Sequence, residues 1–314
     1  MSKQGFFHIL TMYRMKCGGM HMKECVIAVL GGDNRMNFAA EELARRGYDV
    51  RNWGRCEEDD ASTFSKTARA YFRDVDVLML PLPTSFDGTH LSTPLLGDDQ
   101  KVRMETLFAT APDKIWLVGR FHDGLRLRAD RENIRWIDYF ESEILQLKNA
   151  LPTVEGAIEI AMRELPIVLD GTHASVIGYG RIGELLAAKL GALGAEVSVY
   201  ARRSTVCTRA ELMGHSAKQI LEDEELLFEG DTRVIFNTVP SRLFTRAVLQ
   251  TLPKNCLLID LASAPGGVDM ASAAELGIKC IWATALPGKY APESAGIILG
   301  ETVHSILLDA SWRS

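Results

Sequence analysis

From Cys25 onward, short apolar runs alternate with amphipathic stretches, the pattern of an open parallel sheet with helices on both faces. Cys25 to Leu30 reads as a buried strand, Gly31-Gly32-Asp33 as a turn, and Asn34 to Arg46 as a helix ended by Gly47. Tyr48 to Trp53 makes a second strand, and Val75 to Leu82, Ile115 to Val118 and Arg135 to Ile137 supply three more, a flavodoxin-like count. Phe140 to Asn149 then looks helical. After Pro152 a further helical pattern puts Val154, Ile158, Ala161 and Met162 on one face. The proline either kinks one helix or opens a new one, because it suits a first turn and disrupts an interior.

A second alternating block follows, with strands at Ala174 to Ile177, Glu196 to Tyr200, Val234 to Asn237, Leu257 to Asp260 and Lys279 to Trp282. Pro292 begins a last helix whose Leu299, Val303, Ile306 and Leu307 share a face. The expected fold is α/β, with two doubly wound, Rossmann-like domains, the first flavodoxin-like, joined by long bridging helices. Residues 24–150 form the first, substrate-binding domain and 151–290 the nucleotide-binding one; the helix in 291–314 packs back on the first. Residues 1–23 lack periodicity and are expected to be a disordered extension.

Composition narrows the function. The 314 residues, 47% hydrophobic and 24% charged, fit a folded chain of two domains. A balance of 35 Lys and Arg against 41 Asp and Glu leaves a net charge of −6, so no global positive field exists to hold nucleic acid or an anionic membrane. No run reaches the roughly 18 apolar residues of a membrane span. Six cysteines without a C-x-x-C pair suggest reduced thiols in the cytoplasm. The scattered histidines, none at helical ligand spacing, point to no metal site.

The strongest motif is Gly178-Tyr179-Gly180-Arg181-Ile182-Gly183, a G-x-G-x-x-G between a strand and a helix. Gly178 permits the tight turn, Gly180 lets backbone approach a pyrophosphate, and Gly183 lets helix and strand pack closely. The helix amino terminus adds N–H donors and partial positive charge. NAD usually meets a carboxylate at the end of the next strand, whereas this chain has Arg202-Arg203-Ser204 there. Two guanidiniums and a hydroxyl suit the 2′-phosphate of NADP, although a solvated basic loop would read the same way. Asn237, Thr238 and Pro240 follow another strand, where small polar groups can orient a nicotinamide ring or simply end the strand.

Taken together, VIAVLGGDNR, NALPTVEGAIEIAM, VIGYGRIG, FNTVPSRLF, LLIDLASAPGGVD and ALPGKYAPESAGIIL resemble the A subunits of bacterial dipicolinate synthase, from about residue 25 to 300. The resemblance implies a heteromeric oxidoreductase of spore dipicolinic acid synthesis. In it, an NADP-binding chain works with a flavoprotein-like B subunit to convert dihydrodipicolinate to dipicolinate; a homodimer is also open. Such a dicarboxylate needs placed cations, for which Arg35, Arg120 and Lys289 are candidates, each also readable as a solvated or ion-paired surface charge. His90, in the hydroxyl-rich PTSFDGTHLSTP loop, is the first choice for proton transfer, with Asp33 or Glu155 as alternatives. Thr84, Ser85 and Thr93 are either carboxylate donors or turn formers. Two other functions stay open: an NADP-dependent dehydrogenase of another hydroxy or amino acid, and a nucleotide-binding regulatory scaffold for a flavoprotein partner.

Overall fold

The computed structural model describes residues 25–54, 59–97, 100–221 and 226–308. The expected extension at 1–23 lies outside the described residues. The chain forms two compact units: the described residues up to Lys148 together with those from Pro292, and Asn149–Ala291.

The first unit has five parallel strands, β1 (Val26–Leu30), β2 (Asp49–Trp53), β3 (Val77–Met79), β4 (Ile115–Val118) and β5 (Arg135–Asp138). They are ordered β2-β1-β3-β4-β5, the flavodoxin arrangement with its switch point between β1 and β3. Helix α1 (Asn34–Arg45) buries Met36, Ala39, Ala40 and Leu43, and the terminal helix (Pro292–Leu308) packs on it. The close approach depends on Gly300, where a Cβ would stand 2.9 Å from the Glu42 side chain. Glu42 is buried there and takes Arg45 at 2.7 Å and Arg46 at 2.5 Å.

Pro152 sits inside a single 22-residue helix, Glu143–Glu164, rather than opening a new one. The Thr153 hydroxyl donates to the Asn149 carbonyl at 2.9 Å, beside the hydrogen bond the proline cannot make.

The second unit has six parallel strands, β6 (His173–Ile177), β7 (Glu196–Ala201), β8 (Ser216–Gln219), β9 (Val234–Asn237), β10 (Leu257–Asp260) and β11 (Lys279–Trp282). Their order, β11-β10-β9-β6-β7-β8, is that of a dinucleotide-binding sheet. The polar edge strand β8 carries no hydrophobic alternation and escaped the sequence pattern. Ile177 at the end of β6 pairs in register with Asn237 of β9 and Tyr200 of β7, which sets the loops beyond them side by side.

Candidate functional site

In the second unit the chain leaves β6 through Gly178, whose φ of +89° is left-handed and whose N–H donates to the Tyr200 carbonyl at 2.8 Å. A Cβ here would strike the Thr238 hydroxyl, and one on Gly183 would strike the Gly178 carbonyl. Gly180 caps the following helix, Arg181–Ala192, and a Cβ on it meets nothing within 4 Å. The turn is thus closed where strand and helix must touch and open where a ligand would approach the helix amino terminus. Arg181 is exposed, and Ile182 packs at the margin of the core. Tyr179 is buried under Arg209, whose guanidinium lies 5.3 Å from the ring and donates to the Tyr179 carbonyl at 3.1 Å. Burial, and then the charge of Glu184, push the Tyr179 phenol up. No local sequence signal pointed to Arg209, which stands 30 residues beyond the tyrosine it clamps.

Arg202, Arg203 and Ser204 are exposed at the carboxyl end of β7, where a helix, Ser204–Leu212, begins. Gln219 Nε2 donates to the Arg202 carbonyl at 2.9 Å and steadies the turn. Neither guanidinium is ion-paired among the described residues, and no carboxylate stands in the turn. The open Gly180 face and this acid-free pair of arginines fit a phosphorylated dinucleotide.

The loop after β9 departs from expectation. Asn237 was a candidate to orient the nicotinamide, but its side chain is fully buried and engaged. Nδ2 donates to Val239 O at 3.0 Å and to Asp260 Oδ1 at 2.8 Å, and Oδ1 accepts from the Val239 N–H at 3.1 Å. The Thr238 hydroxyl is likewise taken, by Ile177 O at 2.8 Å. Pro240 is exposed just beyond them. Asn237 and Thr238 therefore hold the loops in place; Thr238 is half-buried, and Pro240 is the exposed one of the three. Lys289, on the short helix Leu286–Tyr290, is exposed and has no ion-pair partner among the described residues.

Glu155 stands away from the glycine turn. It takes the Lys189 ammonium at 3.1 Å, in the last turn of the helix that Gly180 caps, about 13 Å along its axis from the cap. An exposed ion pair of this kind contributes no more than about 1 kcal/mol. At the opposite, amino end of β6, His173 faces Glu196 at 3.1 Å, Asp231 at 3.2 Å and Glu229 at 3.6 Å. His173, Glu229 and Asp231 lie close enough together to ligate a metal ion, a proximity that sequence spacing did not show. His173 and Glu229 are half-buried and Asp231 is exposed, and Lys218 also pairs with Glu229 at 2.9 Å, so the group reads as a surface polar cluster.

In the first unit, Asp33 and Arg35 hold each other. Asp33 caps α1, accepts Arg35 Nε and Nη2 at 2.8 Å each, and Nη2 also donates to Leu82 O at 2.7 Å. Arg35 is 7% exposed, so the pair clasps the β1 turn to the loop after β3 and is not a free cation with a free base. Thr84 is also structural: buried, it accepts the Gly119 N–H at 3.0 Å and donates to Pro81 O at 3.1 Å. Ser85 accepts the Gly88 N–H at 3.0 Å, and Thr93 reaches Gln100 O at 3.4 Å, both turn-forming roles.

His90 keeps its candidacy and gains a partner. Its Nδ1 lies 2.7 Å from Asp87 Oδ2, while Asp87 Oδ1 accepts the N–H groups of Thr89 and His90 at 2.8 Å each. The His90 hydrogen bond, with these N–H donors, holds the Asp87 carboxyl far below the usual range. Beside an anionic Asp87, Nδ1 is the donor, and in the neutral imidazole Nε2 is then the acceptor. Sequence reading singled out the histidine and missed this aspartate three residues earlier. Arg120 is the remaining cation at this sheet's carboxyl edge. Its φ of +47° is held by the Asp138 carboxylate, which takes its N–H at 3.1 Å and that of Phe121 at 2.9 Å. Its guanidinium lies 5.8 Å from the Phe140 ring centre, with no carboxylate partner among the described residues.

Comparison with known proteins agrees with this architecture. The family model of the N-terminal domain of the dipicolinate synthase A subunit matches residues 26–140. The dipicolinate synthase A subunit of Bacillus subtilis is 30% identical over 286 residues, 90% of this chain and 96% of that protein. The crystal structure of the dipicolinate synthase A subunit from Bacillus halodurans superposes with a TM-score of 0.77 at 26% identity, over 92% of this chain and all of that one. D-lactate dehydrogenase of Escherichia coli, at 13% identity and a TM-score of 0.58 over 90% of this chain and 96% of that one, shares the fold. With 30% identity to the Bacillus subtilis protein extending over nine-tenths or more of both sequences, the chain belongs to the family of dipicolinate synthase A subunits.

Proposed function

We propose that this chain is the oxidoreductase subunit of a dipicolinate synthase, oxidising dihydrodipicolinate to dipicolinate with NADP+ in the cytoplasm and working with a flavoprotein-like B subunit. The observation that carries the reading is the glycine turn, open at Gly180, beside the acid-free Arg202-Arg203-Ser204 turn. The backbone at Gly180 and the first turn of its helix bind the pyrophosphate, and the two arginines with Ser204 bind the 2′-phosphate. When bound, the nicotinamide supplies a hydride acceptor, and aromatisation of the substrate ring provides much of the driving force. His90 accepts the ring proton at Nε2 while Asp87 fixes the tautomer. Arg120, with no carboxylate partner among the described residues, binds a substrate carboxylate.

The test is co-expression with and without a B-type flavoprotein subunit, supplying fresh dihydrodipicolinate precursor and NADP+ and following dipicolinate and NADPH together. Equal amounts of the two are expected. Dipicolinate formed without NADPH would sink the hydride mechanism. His90→Asn should depress turnover far more than NADP+ affinity, and unchanged turnover would remove His90 from the chemistry.

A further inference from the structure

Asp260, the last residue of β10, is 1% exposed. Oδ1 accepts from Asn237 Nδ2 at 2.8 Å and from the Ala262 N–H at 3.1 Å, and Oδ2 accepts from the Gly267 N–H at 2.8 Å. All three donors are neutral. Among the described residues no lysine, arginine or histidine is ion-paired with it, so dipoles solvate this buried acid and no counter-ion cancels its field. The packing is tight: a Cβ on Gly267 would strike the Asn237 amide.

Its place in the sheet gives the charge a direction. The glycine turn leaves β6, and the basic turn that suits the adenosine half leaves β7, on one side of it. The dinucleotide lies across the carboxyl edge of such a sheet, so its nicotinamide half falls on the other side, over β9 and β10. Asp260 ends β10 there, in the loop network that also fixes 237–239.

We infer that Asp260 is a positioning residue whose uncompensated charge makes the site prefer the oxidised, cationic nicotinamide to the reduced, neutral one. The inference rests on the proposed nicotinamide cofactor. It suits a reaction that consumes the oxidised form. Strands stand about 4.8 Å apart, so two spacings are about 10 Å. A unit charge at that range and an effective dielectric of about 20 changes an affinity ratio roughly tenfold.

The experiment measures Kd for NADP+ and for NADPH, by calorimetry, on the wild type, Asp260→Asn, and the exchange variant Asn237→Asp with Asp260→Asn. The exchange keeps one carboxylate and one amide in the same buried pair. In Asp260→Asn the preference for NADP+ should fall roughly tenfold; in the exchange variant it should return to within about threefold of wild type. Loss of both affinities by one common factor would show a purely structural role and overturn the inference, as would an unchanged ratio. If Asp260→Asn does not fold, the exchange variant and the wild type decide. An exchange variant with a ratio shifted tenfold from wild type, or a wild type that binds NADPH tighter than NADP+, overturns it. A wild type that binds neither nucleotide overturns the cofactor reading itself, and the inference with it.

Discussion

Two glycine-to-alanine changes in one turn should have opposite consequences. At Gly180 the backbone has φ −94° and ψ −159°, which alanine adopts without strain, and the added methyl meets nothing within 4 Å. Alanine loses some of glycine's N-cap preference, up to about 1 kcal/mol, and gains about 0.4–1 kcal/mol through a less flexible unfolded chain. The net effect on stability should be within about 1 kcal/mol of zero, or roughly 4 °C in Tm. The same methyl occupies the face where a pyrophosphate would meet backbone N–H groups. Charge-assisted hydrogen bonds contribute about 1.5–3 kcal/mol each, so losing one or two weakens NADP+ binding by at least about tenfold, and more than a hundredfold at the upper end.

At Gly183 the methyl runs into the Gly178 carbonyl. Its helix-propensity gain of about 1 kcal/mol is outweighed by an overpacking cost of about 1–3 kcal/mol plus disturbance of the turn. Differential scanning fluorimetry and NADP+ calorimetry on Gly180→Ala and Gly183→Ala read both effects. A Gly180→Ala protein with wild-type melting and wild-type affinity would refute the assignment of the ligand-facing backbone. A Gly183→Ala protein as stable as wild type would refute the packing argument.

Three other tests bear on separate parts of the molecule. Replacing Arg202 and Arg203 together by alanine should weaken NADP+ binding about a hundredfold and leave NAD+ within about threefold, and a wild type preferring NAD+ would overturn the 2′-phosphate assignment. At Glu42 burial works to raise the pKa, but hydrogen bonds and charges from Arg45 and Arg46 outweigh it and hold the carboxyl below its ordinary value of 4.5. Its stabilisation is therefore full above that value and lost as pH falls through the lower folded value, so the stability difference between wild type and Glu42→Gln in urea melts should shrink in acid; a constant difference contradicts the argument. Burial pushes the Cys256 and Cys280 thiols up to about 12, so at mildly alkaline pH both stay protonated. Brief iodoacetamide treatment followed by peptide mass analysis should leave Cys256, the buried one of the two, unmodified before unfolding, and its rapid labelling in the native protein would count against that burial.

The strands most legible in the sequence are those buried on both faces. β4, β9 and β10 begin and end where the apolar runs do, because a strand flanked on both sides in a parallel sheet reads as continuous hydrophobe. Ser216–Gln219 was invisible for the converse reason: at the sheet edge its backbone bonds to β7 while polar side chains point outward. The glycine turn was legible because its spacing is local, with one positive φ and one close approach, Gly183 to the Gly178 carbonyl, within six residues. Side-chain roles were harder to read, since a residue's type does not reveal what has claimed it. Arg35 is engaged by a carbonyl 47 residues away, Glu155 by a lysine 34 away, and Asn237 by an acid 23 away. Only the folded chain brings those partners together.

The return of the terminal helix to α1 makes the first unit discontinuous in sequence, with the whole second unit inserted between its two pieces. During synthesis the second unit emerges complete, whereas the first sheet waits for the stretch beyond Pro292. At about 5–20 residues per second, the roughly 160 residues from Lys148 to Leu308 take about 8–30 s to make. Through that interval the surface of α1 at Phe38, Ala39 and Glu42 stands without the helix that Gly296 and Gly300 later seat on it. That order of assembly makes the nascent first unit the part of the chain most exposed to chaperones and proteases, and it makes loss of the final helix a defect of the amino-terminal sheet.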